Sequence, residues 1–409
     1  WRFCQLCFDS KHAPIYGTLL TAAGLTLPIA GTSLFLCDPY LTSRSLSTPA
    51  LLFAICCVLE KKLVRAFLWF VCALLVHPLM AAYGGVFLLL LLLRIERRSQ
   101  FVLLLGLASA AVIFAAREYA KGIYITSNYR AAVLTRSYFF LSQWQWYEIF
   151  GLFAPLGLFV WLWWSQKRSI HSRMQQCLTA TLWYGLFFLI IGFALIRTTD
   201  LIAIARFQPM RSFHLIYILL LLLPVNFGVQ RLFEGRPVRF ALLLAAVCGA
   251  MFLADRQSFP ASSHLEWPWT RSDNDWRQAF DWVRSNTPKN AVFALSPNYM
   301  HQAGEDNVGF RAYAERSSLA DRNKDGGVAA IFPPLADAWV EENTTTAAVD
   351  QVQNDLQAAP LARAGVSWVV VHDTPGMDLE CPYRNHTLAV CRLQQFSVFA
   401  TKDSPTNHN

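Results

Sequence analysis

The run VRAFLWFVCALLVHPLMAAYGGVFLLLLLL (Val64–Leu93) decides the fold, because it reads either as one long helix or as two short ones. Proline removes a backbone donor and its ring clashes with the preceding turn, so Pro78 interrupts a helix in the middle of the run. A continuous helix of this length would measure about 45 Å, well beyond a hydrocarbon core of about 30 Å. The sequence therefore predicts two helices turning at His77-Pro78.

That turn sets the side of everything else. Further apolar segments bounded by charges are Tyr16–Leu36, Leu46–Leu59, Phe101–Ala116, Phe150–Trp164, Cys177–Ile196, Phe213–Val229 and Phe240–Ala254. With a hairpin at His77, four tight basic loops share one side: Lys61/Lys62/Arg65, Arg94/Arg97/Arg98, Lys167/Arg168/Arg173 and Arg231/Arg236/Arg239. Short basic loops lie in the cytoplasm. The opposite side receives Asp38–Ser45, the His77 turn, the loops Arg117–Tyr147 and Arg197–Arg211, and everything after Asp255. In a bacterium this is a multi-pass inner (plasma) membrane protein with its C-terminal domain in the periplasm.

Composition agrees with a lipid bilayer as partner. Of 409 residues, 55% are hydrophobic and 15% charged, against about 25% charged in soluble domains. The net charge of +8 comes from Lys and Arg in orientation-setting loops, and there is no nucleic-acid-binding motif. The chain begins at Trp1 with no basic leader and cleavage site, which reads as the downstream part of a longer protein. Cys56, Cys57, Cys72, Cys177 and Cys248 lie in apolar runs as small core residues. Cys4 and Cys7 form a single CxxC without a second pair, so no metal site is expected. Cys381 and Cys391 lie in a polar segment at a spacing that closes a short loop, and an oxidising compartment permits their disulfide; two free thiols are the alternative.

After Asp255 the composition changes, giving two expected domains, 1–255 and 256–409. DWRQAFDWVRSNTP places Trp276, Phe280 and Val283 at helical spacing with Pro288 past the end. NAVFAL (Asn290–Leu295) and VSWVVVHD (Val366–Asp373) read as buried strands, TLAVCRL and FSVFA as further strands, and AAVDQVQNDLQAAPLARAG as a helix closed by Gly365. The fold class is mainly α, a polytopic transmembrane helix bundle with a C-terminal α/β extracytoplasmic domain.

Several polar groups stand out against this background. Asp38 and Arg44 read as lining an outer cavity, or as a helix-start turn with Ser43 or Ser45 capping and Arg44 snorkelling. His77 reads as a substrate-facing imidazole or a helix-end histidine. Arg206, Gln208, Arg211 and His214 precede a span. Forked guanidinium donors match phosphate oxygens, so these suit a lipid-phosphate site or interfacial anchoring. The loop Arg117–Tyr147 reads as an amphipathic interfacial helix with an aromatic belt. The most charged stretch is GEDNVGFRAYAERSSLADRNKDGG (Gly304–Gly327), with Glu305, Asp306, Arg311, Glu315, Arg316, Asp321, Arg322, Lys324 and Asp325. Its balanced signs suit a polar substrate cleft or an internal ion-pair network.

The segment AFDWVRSNTPKNAVFAL, a helix ending in R-x-N-T-P followed by a strand, resembles the start of the soluble domain in the GT-C class of membrane glycosyltransferases. AGTSLFLCDPYLTSRSLSTP, LLVHPLMA, RFQPMRSFHLIY and GFRAYAERSSLADRNKDGG resemble an uncharacterised group of bacterial integral membrane proteins, through most of the chain. The GT-C resemblance implies transfer of a sugar from a polyprenyl-phosphate donor at the outer face. It needs a carboxylate as base or to hold a divalent cation, and cations for the leaving phosphate. On that expectation Asp38, Glu305 and Asp306 are the carboxylates, and Arg44, His77, Arg206, Arg211, His214, Arg311 and Arg316 the phosphate or substrate ligands. The class keeps its acidic residues in the first outer loop, and no such loop with paired acids occurs here. A non-catalytic protein that binds or moves a lipid-linked glycan is the alternative.

Overall fold

The computed structural model describes residues 1–38, 41–93, 98–165, 172–233, 235–260, 274–302, 305 and 309–394. Arg94, Arg97, Lys167, Arg168, Asp306 and the expected strand FSVFA lie outside the described residues. The chain divides into two compact units, Trp1–Ile125 with Arg136–Asp255, and Thr126–Thr135 with Arg256–Asn409.

The first unit is helical. Leu63–Val76 and Pro78–Leu92 are separate helices, with His77 at φ −148° and ψ 86° between them. Pro78 takes the first helical position, where its missing N–H costs nothing, and His77 Nδ1 accepts from Met80 N at 3.4 Å. Among the described residues, five helices are long and apolar enough to cross a membrane: Leu103–Lys121, Trp146–Ser165, Arg173–Leu195, Pro209–Phe233 and Pro237–Ser258. Their burial sorts them. Pro209–Phe233 is 67% buried and central, whereas Pro237–Ser258 is 6% buried and presents apolar surface outward, as a lipid-facing helix must.

The central span is not a uniform α-helix. Pro224 cannot donate to the turn before it, and Leu221–Val225 widens into a π-turn, one of the usual accommodations. Asn226, fully buried just after it, donates to Ala13 O at 2.9 Å and to Leu222 O at 3.4 Å, and Gln230 Nε2 donates to Asn226 Oδ1 at 3.1 Å. Gly17 permits this crossing: a Cβ there would stand 2.6 Å from Cys4 Sγ and 2.8 Å from Asn226 Nδ2.

The expected span Tyr16–Leu36 is a correction. The helix runs only over Ala13–Ala23. Beyond it the chain makes a hairpin, with Pro28 bridged to Phe35 and Ile29 N donating to Leu34 O at 2.8 Å. Leu25, Ala30 and Ser33 all have positive φ, a conformation costing L-residues about 1–2 kcal/mol each. Ile29, Thr32, Leu34 and Leu36 are buried. Irregular backbone in an apolar unit is tolerated where protein covers it, and this hairpin meets that condition.

The second unit is built on a mixed five-stranded sheet of order β2-β1-β3-β5-β4, where β1 is Val292–Ala294, β2 Ser317–Ser318, β3 Trp368–His372, β4 Glu380–Arg384 and β5 Leu388–Arg392. β1 pairs parallel with β2 and β3, while β3–β5 and β5–β4 are antiparallel. Both faces are covered. Trp276, Phe280 and Val283 of the helix Asp275–Asn286 pack with Phe293, Val370 and Val390; Val349 and Leu361 pack with Val369, Val371 and Cys391. Asn274 caps the helix by accepting from Arg277 N at 3.0 Å. Strand β4 was not expected, because ECPYR interrupts alternation with a proline. Cys381 and Cys391 form the disulfide that joins β4 to β5.

Of the loop Arg117–Tyr147 expected at the membrane interface, Thr126–Thr135 belongs to this unit. Ser127–Leu134 is a helix that packs on Lys324–Ile331 and Ala336–Thr346. Ala132 and Val133 are fully buried. Tyr129 Oη donates to Ala330 O at 3.2 Å, and Asn128 Nδ2 to Asp337 Oδ1 at 2.8 Å. Its apolar face covers protein, which is why it reads as amphipathic.

Candidate functional site

Residues from four separate stretches meet in the first unit. The charges of Arg44, Asp38 and Arg211 all act on His77 and on His214. The hairpin delivers Asp38, the helix Ser43–Leu59 delivers Arg44, the interhelical turn delivers His77, and the start of the central span delivers Arg211 and His214.

Asp38 is held rather than poised. Arg44 Nη2 donates to Asp38 Oδ1 at 2.5 Å and Arg44 Nε to Oδ2 at 3.1 Å, while Thr42 Oγ1 donates to Oδ2 at 2.5 Å. Burial pushes the Asp38 carboxyl up, but the hydrogen bonds from Arg44 and Thr42 and the charge of Arg44 outweigh it, so the net shift is below the ordinary 3.8. Thr42 N donates to Ser45 Oγ at 3.1 Å, so the helix-start turn and the ion pair form one motif. His214 is buried and its Nε2–H donates to Leu36 O at 3.2 Å. It pins the hairpin and fixes the tautomer.

Arg211 differs. Its guanidinium carbon lies 5.6 Å from the centroid of the Tyr138 ring. Its Nε is buried with no hydrogen-bond partner among the described residues, and no ion pair to it occurs among them. Two neighbours share that condition, Gln208 Oε1 and Ser212 Oγ. An unsatisfied buried polar atom costs about 1–3 kcal/mol, so three on one turn are a concentrated debt. Gln208 is itself left-handed at φ 50°, ψ 55°. Ser212 and His214 line a cavity of about 10 Å³ with Tyr83 and Tyr184, room for a single water at most.

Arg206 is engaged elsewhere, donating to Tyr119 Oη and lying over the Tyr119 and Phe207 rings at 5.9 and 5.3 Å. The sequence groups Gln208 with Arg206, Arg211 and His214, whereas Tyr138 and Ser212 do not stand out in it as site residues.

The charged stretch of the second unit is used internally. Arg316 is buried and makes five hydrogen bonds, to Thr287 Oγ1 (3.1 Å), Thr287 O (2.6 Å), Arg284 O (2.7 Å), Glu315 O (3.1 Å) and Ala314 O (3.4 Å). It closes the C-terminus of the helix Asp275–Asn286, supplying donors to carbonyls left open there. All five guanidinium N–H groups are committed, and the expectation of Arg316 as a ligand is corrected on that ground. Arg311 pairs with Asp325 Oδ1 at 2.7 Å and donates to Ser318 Oγ and O at 3.1 and 2.9 Å. Burial acts to lower the Arg311 pKa, but Asp325 outweighs it and the net shift is upward. Asp321 and Asp325 brace one turn: Asp321 Oδ1 accepts from Lys324 N at 2.5 Å, and Asp325 Oδ2 from Asp321 N at 2.9 Å. Burial, then the Asp325 charge, push the Asp321 carboxyl up. Glu305 is fully buried and acts on Tyr299 together with Asp321 and Arg311. Among the described residues no group of three or more His, Cys, Asp or Glu could hold a metal ion.

Residues 274–325 match a domain of unknown function (DUF6798). The match begins at the helix-capping Asn274 and ends at Asp325, the partner of Arg311. No curated protein and no solved structure matches the chain.

Proposed function

We propose that the chain is a GT-C-like membrane glycosyltransferase that receives a polyprenyl-phosphate-linked sugar at the periplasmic face of a bacterial inner membrane. The observation that carries the reading is Arg211: a cation with a buried, unpartnered Nε, on a turn that also holds an orphaned Gln208 oxygen and Ser212 hydroxyl, beside a second arginine already neutralised by Asp38. A phosphate would accept from the Arg211 fork, and Ser212 could donate to it. Charge developing on a leaving phosphate would be stabilised by the same donors. The C-terminal unit would serve the acceptor, and its disulfide suits an oxidising compartment.

A second reading has one observation in its favour. Both oxygens of Asp38 are occupied by Arg44 and Thr42, which leaves it a poor base. On that reading the protein binds or moves a lipid-linked glycan without transferring it.

The test uses the full chain in lipid nanodiscs with farnesyl phosphate as a short polyprenyl-phosphate probe. Arg211→Ala should weaken binding by about a hundredfold, in line with loss of a charge-assisted pair, and Arg211→Lys should restore part of it. Unchanged affinity in Arg211→Ala removes the phosphate site. Donor-dependent sugar transfer by the full chain then separates the two readings. A reporter fused after Asn409 checks the side of the C-terminal unit.

A further inference from the structure

The hairpin that His214 pins has a second face. With the segment Ser137–Glu148 it walls an open cleft of about 320 Å³, within the range of small-molecule sites. We infer that this cleft binds the saccharide of the lipid-linked donor, with Glu148 and Gln143 as its hydroxyl-reading groups and Trp144 and Tyr138 as its aromatic wall. The inference rests on the phosphate reading of Arg211 for its placement.

Four observations carry it. First, the polar side chains lining the cleft are uncommitted. Glu148 Oε2 accepts from Gln145 N at 2.7 Å, while Glu148 Oε1, the Gln143 amide and the hydroxyls of Ser33 and Ser137 have no partner among the described residues. Together they offer donors and acceptors without a dominant charge, which suits a polyol. Second, the aromatic rings are fixed. Trp144 Nε1 donates to Tyr138 O at 3.3 Å, and a Cβ on Gly31 would stand 2.5 Å from the Trp144 ring. Rigid rings lose little entropy on binding the C–H face of a sugar.

Third, Tyr138 belongs to both places. It lines the cleft, and its ring carries the Arg211 guanidinium. A phosphate on Arg211 would therefore stand next to a sugar in the cleft, the connectivity of a glycosyl phosphate. Fourth, Ala30 and Ser33, both lining the cleft, are left-handed at φ 46° and 56°. Backbone strain kept at a cleft wall fits a role that needs that shape. The lone carboxylate of Glu148 repels a second phosphate, so the cleft suits the neutral part of the donor.

The experiment compares farnesyl phosphate with its glucose, mannose, galactose, arabinose and N-acetylglucosamine esters, on the full chain in nanodiscs. At least one ester should bind about tenfold more tightly than the bare lipid, the discrimination a few hydroxyl contacts provide. Glu148→Gln keeps the shape and the bond to Gln145 N, and Gln143→Ala changes an exposed side chain. Each should shrink the preference for the ester, and together they should abolish it, with farnesyl phosphate binding unchanged. The inference is overturned if no ester outbinds the bare lipid, or if the preference survives both substitutions. A sugar preference together with farnesyl phosphate affinity unchanged in Arg211→Ala would keep the cleft and remove the phosphate site. Farnesyl phosphate binding that depends on Arg211 with no sugar preference would do the reverse.

Discussion

Arg211 and Arg316 are both largely withdrawn from water, and they are opposites. Arg316 commits every donor within its own unit, four to backbone carbonyls and one to the Thr287 hydroxyl. Arg211 stacks on Tyr138 and leaves its buried Nε open. One sits in the most charged stretch of the chain and the other in an apolar span. Density of charge in the sequence therefore marks bracing in the second unit, while scarcity of charge marks the candidate site in the first. A charge in an apolar unit is expensive, so it persists there only with a partner or a purpose.

The largest effects should come from removing committed groups of the second unit. Arg316→Ala strands several carbonyls and should cost about 3–5 kcal/mol, as loss of a buried charged hydrogen-bonding partner does. Thermal unfolding of the full chain, followed by the tryptophan fluorescence of that unit, reads it. Arg211→Ala in the same assay should be neutral or slightly stabilising, because no protein acceptor loses a donor. Equal destabilisation by the two substitutions would erase the contrast between them.

Tyr129→Ala should be nearly as damaging, at about 3–5 kcal/mol for a fully buried aromatic. Tyr129→Phe isolates the bond to Ala330 O and should cost about 1 kcal/mol. If Tyr129 served the membrane surface instead, Tyr129→Ala would leave the unfolding of the second unit unmoved. Reduction of Cys381–Cys391 comes next. For a loop of this size the stabilisation lost is about 2–3 kcal/mol, seen as a lower midpoint in reductant with the first unit unaffected.

How much of this was legible follows the same division. The His77-Pro78 turn could be read because proline acts locally. The helix Asp275–Asn286 could be read because Trp276, Phe280 and Val283 keep a strict period, and the disulfide because its spacing stands alone in a polar segment. The hairpin after Ala23 could not. GLTLPIAGTSLFL is as apolar as a span, and its left-handed positions are Leu25, Ala30 and Ser33, residues that announce no turn. The helix Ser127–Leu134 was read as amphipathic, yet amphipathicity does not say whether lipid or protein meets the apolar face. In the site, Asp38, Arg44, His77, Arg211 and His214 were visible as isolated polar residues, and only the fold brings them together. Glu148 was invisible, since an acid in the first turn of a helix has an ordinary explanation in the helix dipole.

The smallest effect is also the one that tells the two units apart by sign. The folded state holds the Asp38 carboxyl below 3.8, so its ion pair stabilises the protein above the unfolded value and that contribution is lost as pH falls through the lower, folded value. The folded state holds the Asp321 carboxyl above 3.8. Its contribution is fully present below the unfolded value and is lost as pH rises through the higher, folded one. Acidification from neutral pH should therefore stabilise wild type through Asp321, a gain that the non-titrating Asp321→Asn lacks, and the stability difference between the two should move in wild type's favour. For Asp38→Asn the difference should move against wild type, and only in the more acidic range. Unfolding midpoints of the two asparagine variants and wild type between pH 7 and about pH 3 measure it. Parallel curves for the two variants would mean that Asp38 and Asp321 are held alike, and that the ion pair of the first unit is no more committed than the braced turn of the second.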